Sequence, residues 1–298
     1  MRINRLNDLY SSKKFNFWSG LVLIGVFLLS SCHDEKVTEP IADPSKPLEL
    51  LDVSYGSFDR QKMDVFLPAN RSTQNTRVLI WIHGGAWVDG DKSEFSGFKP
   101  WFEAVQSDYA YISLNYRLFD LVTGTNRFPN QEEDIQKALH FIQSKLKEWN
   151  VSEQVILAGG SAGGHLSLLH SYKNNNAGMV KLAVAIFPPT DLLTLGNGNN
   201  LIEFLLSRLV GDPQRDRERY LASSPINFID AGSVPTAFFH GDQDDIVPIA
   251  QSFKLEEKLR ENAVPKFFEY YPGQGHGFTE RIYKEMIQKI EDFINQHL

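Results

Sequence analysis

Apolar and polar positions along this chain keep switching between a period of two and a period near 3.6. Residues 51–55 and 63–67 alternate apolar and polar around Gly56, Ser57 and charged residues, which predicts an antiparallel hairpin at a sheet edge, closed by Pro68. Residues 77–83 form a nearly continuous apolar run, the pattern of a strand covered on both faces. A helix over 98–106 and a strand over 109–114 follow. Residues 131–149 carry Ile135, Ala138, Leu139, Ile142 and Leu146 on one helical face, as expected of a helix packed on a sheet. Further strands are predicted at 154–158, 181–187, 236–240 and 266–271, and helices at 162–172, 249–262 and 278–297. Strands that alternate with helices imply an α/β fold, here a three-layer α/β/α sandwich with a mainly parallel sheet behind an antiparallel N-terminal hairpin. Between 193 and 228 the pattern lapses, leaving one short apolar helix (201–210) and a charged run (212–219). That segment reads as an insertion, either a modest lid over a site or a plain surface loop.

The N-terminal segment stands outside this pattern. Arg2, Arg5, Lys13 and Lys14 precede an apolar run over 21–29 that is short for a membrane span, and Leu29-Ser30-Ser31-Cys32 follows. The arrangement resembles the lipobox of bacterial lipoproteins. It predicts a signal peptide over 1–31, lipidation of Cys32 and an exported protein anchored to a membrane through that lipid. Cys32 is the single cysteine, so an intrachain disulfide is excluded. Residues 32–47 are polar and lack periodicity, as a flexible tether would, and 48–298 read as one globular domain.

Charge narrows the partners. Without residues 1–31 the chain loses four basic residues and one acidic residue and carries a net charge of −10. So acidic a body is unsuited to nucleic acid. No pair of histidines has metal-ligand spacing with a carboxylate nearby, so neither a metal nor another cofactor is expected.

Three strand ends carry chemistry. At the first, Gly159-Gly160-Ser161-Ala162-Gly163-Gly164 joins a short apolar strand to a helix, the setting that lifts one serine hydroxyl above a sheet while glycines permit the tight turn. The second holds Asp242, Asp244 and Asp245, and the third is Gly275-His276-Gly277-Phe278. A serine needs a neutral imidazole to take its proton and a carboxylate to orient that imidazole. Ser161 and His276 are therefore the candidate nucleophile and base, and any of the three aspartates could be the orienter. Amides of His83-Gly84-Gly85-Ala86 and of Ala162 could bind an oxyanion.

From about residue 50 onward the chain resembles the α/β-hydrolase superfamily, in particular bacterial esterases near the hormone-sensitive-lipase, feruloyl/acetyl-xylan esterase and arylformamidase groups. The resemblance rests on His83-Gly84-Gly85-Ala86-Trp87, Tyr116-Arg117-Leu118, the Ser161 turn, Asp244 with Val247-Pro248, and Gly275-His276-Gly277-Phe278. It implies a serine carboxylesterase with Ser161, Asp244 and His276 as its triad, acting on acetyl or feruloyl groups of polysaccharides. An amidase, peptidase or arylformamidase could use the same triad, and a binding protein could keep the fold without the reaction. The lipase form of the first motif has a third glycine where this chain has Ala86. Gly84, Gly85, Ala86 and Ala162 are thus all candidates for the oxyanion hole, with Gly85 and Ala86 favoured. Trp87 is either a wall of the substrate pocket or a core residue. Among the other polar residues, Asp191 is expected to cap or turn, His83 to hold its loop, and His165, His170 and His240 to pack.

Overall fold

The computed structural model describes residues 43–298; the expected signal peptide, Cys32 and the tether up to residue 42 lie outside the described residues. An eight-stranded sheet runs in the order β1-β2-β4-β3-β5-β6-β7-β8. Its strands are β1 (Leu48–Ser54), β2 (Lys62–Leu67), β3 (Val78–Ile82), β4 (Ala110–Leu114), β5 (Val155–Gly160), β6 (Val180–Ile186), β7 (Thr236–Gly241) and β8 (Lys266–Tyr271). The β1–β2 and β2–β4 pairs are antiparallel, and every pair from β4 through β8 is parallel.

The continuous apolar runs follow from burial on both faces. All five residues of β3 are buried. Val78, Ile80 and Ile82 face one core with Ile135, Leu139 and Leu166, whereas Leu79 and Trp81 face the other with Phe102, Met286 and Ile290. Helices α2 (Asn130–Lys145) and α3 (Ala162–Leu169) cover the first face, and α1 (Phe95–Val105) and α8 (Glu280–His297) the second. Helix α7 (Ala250–Glu261) packs beside α3, burying Leu255 and Leu259 against Ala183 and Phe238.

The winding of the sheet reverses at β3: β4 lies on one side of it and β5 on the other. The crevice above such a switch point is where open α/β sheets bind ligands. Register places the strand ends level there, with Ile82 opposite Gly159, Gly160 opposite Ile186 and Gly241 opposite Tyr271.

Two segments are more ordered than their patterns suggest. Within 193–228 lie α5 (Asn200–Leu209), α6 (Arg217–Ala222) and a 3₁₀ turn (Pro225–Phe228), with α4 (Leu192–Leu195) leading in. Leu205, Leu206 and Leu209 anchor the segment in the core, and the Asn199 side chain caps α5 by accepting from Leu201 and Ile202 N–H. Residues 43–47, read as tether, form a turn whose Pro44 and Lys46 carbonyls accept from Arg71.

Candidate active site

Ser161 follows β5 with φ 53° and ψ −123°, a left-handed conformation that a serine adopts only where its surroundings impose it. Packing supplies the force. A Cβ on Gly163 would lie 2.0 Å from the Ile82 carbonyl oxygen, and one on Gly159 would lie 2.5 Å from the Gly163 carbonyl carbon, so strand and helix touch through backbone alone. The Ser161 amide donates to the Ile186 carbonyl at 2.8 Å, tying the turn to β6.

Ser161 Oγ lies 2.8 Å from His276 Nε2, and His276 Nδ1 lies 2.7 Å from Asp244 Oδ2. The three side chains come from the ends of β5, β8 and β7. Of the three aspartates, Asp244 alone reaches the imidazole: Asp242 accepts from the Gly273 amide and Asp245 is exposed. Burial by itself would raise the Asp244 pKa. Hydrogen bonds from His240 and His276, the His276 charge and the Val247 amide outweigh it and hold the carboxyl well below the usual carboxylate range. Its Oδ1 accepts from the Ile246 and Val247 amides at 2.9 Å each. His240 Nε2–H donates to the Val247 carbonyl at 2.7 Å and lies 3.3 Å from Asp244 Oδ2, while Ser252 Oγ donates to its Nδ1. An orienting carboxylate therefore stays ionised and cannot swing.

After β3 the loop turns left-handed at three successive residues, with φ 98° at Gly85, 50° at Ala86 and 62° at Trp87. Only glycine fits the first position, since a Cβ there would fall 2.1 Å from the Asp89 carbonyl oxygen. His83 donates from Nδ1 to the Gly84 carbonyl at 2.7 Å and stacks on Tyr116, whose hydroxyl reaches the His83 and Gly84 carbonyls. Arg60 Nη2 donates to the Gly90 carbonyl and lies 3.2 Å from His83 Nε2. Burial and the Arg60 charge lower the His83 pKa to about 4, so His83 braces the loop as a neutral ring. The Gly84 amide is directed at the Glu94 carboxylate. Gly85 and Ala86 line the same cleft as Ser161, and their amides, like that of Ala162 at the start of α3, have no protein acceptor among the described residues. Ala86 thus takes the place of a third glycine without closing the turn.

The cleft holds about 520 Å³ and its walls include Val88, Phe98, Phe187, Ile246 and Tyr283. Trp87, expected as a possible pocket wall, is not among them. It is 3% exposed, donates from Nε1 to His165 Nδ1 at 3.3 Å and meets Phe128 edge-on. The left-handed turn carries its ring into the core beneath the loop. No residue of 193–228 lines the cleft. That segment touches the site from behind, where the Ser223 carbonyl accepts from His165 Nε2–H at 2.7 Å. Asp191 caps α4 and pairs with Lys254 at 2.7 Å.

Sequence reasoning missed Arg60, Glu94 and Phe187. The first sits in a charged hairpin turn and the others carry no motif, so only their tertiary placement reveals them.

Comparison with known proteins finds esterases and a formamidase of similar sequence. Esterase LipC of Mycobacterium tuberculosis is 28% identical over 245 residues, 76% of this chain and 59% of its own length. Kynurenine formamidase of Meyerozyma guilliermondii is 24% identical over 262 residues, 83% of this chain and 94% of its own. The chain spans 56%, 59% and 61% of the three mycobacterial relatives it matches. A solved structure described as a truncated carbohydrate esterase from gut microbiota superposes with a TM-score of 0.71 at 23% identity, covering 85% of this chain and 98% of that one. The BD-FAE family model matches residues 63–259, a span that takes in the His83 loop, the Ser161 turn and Asp244, and the chain belongs to the BD-FAE family.

Proposed function

We propose that this protein hydrolyses carboxylic esters through an acyl-enzyme on Ser161, and that its substrates carry short acyl groups or aromatic acyl groups such as feruloyl on polysaccharides. One observation carries the reading: the unbroken chain Ser161–His276–Asp244 stands beside amides that have no protein acceptor among the described residues. Ser161 Oγ attacks the ester carbonyl carbon while His276 Nε2 takes its proton, and the His276 Nδ1–H stays on the Asp244 carboxylate. The Gly85, Ala86 and Ala162 amides receive the oxyanion. Collapse of the intermediate expels the alcohol, which takes the proton from Nε2. Water then repeats the sequence and frees the acid.

The relatives' names support an ester or amide carbonyl as the target, and the gut-microbial carbohydrate esterase supports a sugar-linked one. The sequence around Cys32 supports an exported, lipid-tethered protein, which would meet such polymers outside the cytoplasm. Turnover of p-nitrophenyl acetate, butyrate and octanoate by the wild type and by Ser161→Ala tests the reading. Activity that vanishes in the variant, with loss of labelling by a fluorophosphonate, is expected. Equal activity in both proteins would refute it. Incorporation of labelled fatty acid into the wild type but not into Cys32→Ser tests the tether.

A further inference from the structure

Two carboxylates of the cleft have no part in the reaction above, Asp89, whose Oδ1 accepts from the Gly90 amide, and Glu94. Glu94 lies in the 3₁₀ turn Lys92–Glu94 that leads into α1, and it is exposed to the cleft. The indole Nε1–H of Trp81 donates to its Oε1 at 3.3 Å, and the Gly84 amide is directed at the same carboxylate. An ionised carboxylate offers about four acceptor sites. Glu94 therefore keeps acceptor capacity towards the space in front of it.

The surroundings of that carboxylate are aromatic. Phe187 lies against His276 with ring centroids 4.4 Å apart, and rings then succeed one another from Phe187 to Phe278, Tyr283, Phe98 and Trp81 at 5.5, 5.4, 5.2 and 5.2 Å. Phe187, Tyr283, Phe98 and Trp81 of this series form an aromatic wall of the cleft, which His276 and Glu94 also line. A bare apolar chain laid along it would desolvate the carboxylate and give nothing back. A sugar ring would bring hydroxyls on every side and leave most of them facing rings. A flat aromatic ring with a hydroxyl at its far edge suits both features, burying its faces on the wall and donating to Glu94.

We propose that Glu94 is a specificity-determining residue whose carboxylate accepts a hydrogen bond from a hydroxyl borne by an aromatic ring of the ester. The inference rests on the ester-hydrolase reading and assigns one residue of that same site to recognition of the substrate. Desolvation by the cleft walls raises the Glu94 pKa against the opposing bonds from Trp81 and Gly84. The ring can belong to the acyl group or to the alcohol, since the wall begins at the imidazole that serves both.

The test compares kcat/KM within two pairs of esters for wild type, Glu94→Gln and Glu94→Ala. Methyl 4-hydroxycinnamate against its 4-methoxy analogue places the ring on the acyl side; 4-hydroxyphenethyl acetate against its 4-methoxy analogue places it on the alcohol side. The wild type is expected to favour the hydroxyl form of one pair by about tenfold or more, the weight of a hydrogen bond to a charged group. That ratio should fall close to one in Glu94→Ala and to an intermediate value in Glu94→Gln, which keeps one acceptor. A ratio within one protein does not move with a general loss of activity or of fold. A wild-type ratio near one in both pairs, or a ratio kept in Glu94→Ala, overturns the assignment while leaving the esterase intact. Absence of any ester turnover, p-nitrophenyl acetate included, overturns both readings.

Discussion

His276 meets the Ser161 hydroxyl and His165 donates its amide to the Ser161 carbonyl, and both touch aromatic rings, yet their surroundings fit them for opposite work. The His276 side chain is 15% exposed and its Nδ1 meets a fully buried carboxylate at 2.7 Å. His165 is wholly buried; its Nε2–H meets the Ser223 carbonyl and its Nδ1 meets the Trp87 indole. Burial, with the Lys173 charge behind it, pushes the His165 pKa down to about 4 against the bond to the Ser223 carbonyl. A proton can therefore be borrowed by one of the two rings only. What separates a base from a brace is the partner of the second ring nitrogen and the room to reach solvent, and neither shows in the residue type.

Exchange of the two rings for inert ones should break this contrast most visibly. His276→Ala is expected to lower kcat on p-nitrophenyl acetate by about 10⁴-fold or more. His165→Asn should cost less than about tenfold in kcat and be seen instead in the urea midpoint, because it cuts the bonds to Ser223 and Trp87. Removing the charge behind the base comes next: Asp244→Asn should lower kcat by about 10³–10⁴-fold. The neighbouring Asp242→Asn and Asp245→Asn should stay within about threefold of wild type, since neither meets the imidazole.

Acid sharpens the comparison from the other side. His83, His165 and His170 all have pKa values lowered by burial to about 4, against 6.5 for the unfolded chain. Between those limits the unfolded state binds more protons than the native one, so stability must fall as pH drops from 6.5 towards 4. Urea melts at pH 7 and pH 5 should show a loss of more than about 2 kcal/mol. The depressed Asp244 adds in the same direction at lower pH, as its native carboxylate is stabilised above its unfolded pKa and protonated last. The smallest effect belongs to Trp87→Phe, which keeps the ring and removes one hydrogen bond to His165. It should cost about 1 kcal/mol of stability, read from the same melts.

The order of strands and helices is legible from period alone because a sheet covered on both faces writes long apolar runs and its helices write one-sided stripes. Ser161 and His276 are legible because glycines flank them where a structural residue would gain nothing from such freedom. Trp87 was ambiguous for a physical reason: one left-handed residue decides whether its ring enters the pocket or the core. Residues 193–228 look irregular in sequence because their helices are short, and their hold on the core comes from a few leucines and an asparagine cap. Glu94 and Arg60 were invisible, since a carboxylate on a pocket wall and an arginine behind a loop are defined by what other segments place beside them.

The parallel register also serves as a gauge of correct assembly. The groups that must meet hang from the ends of β3, β5, β7 and β8, level with one another because Ile82 faces Gly159 and Gly241 faces Tyr271. A slip of one residue in any of these pairings would displace one group by about 3.3 Å, more than the tolerance of a hydrogen bond. Recovered hydrolysis during refolding would therefore count only chains whose central strands have all paired in the native alignment, making turnover a stricter reporter of sheet assembly than any measure of strand content.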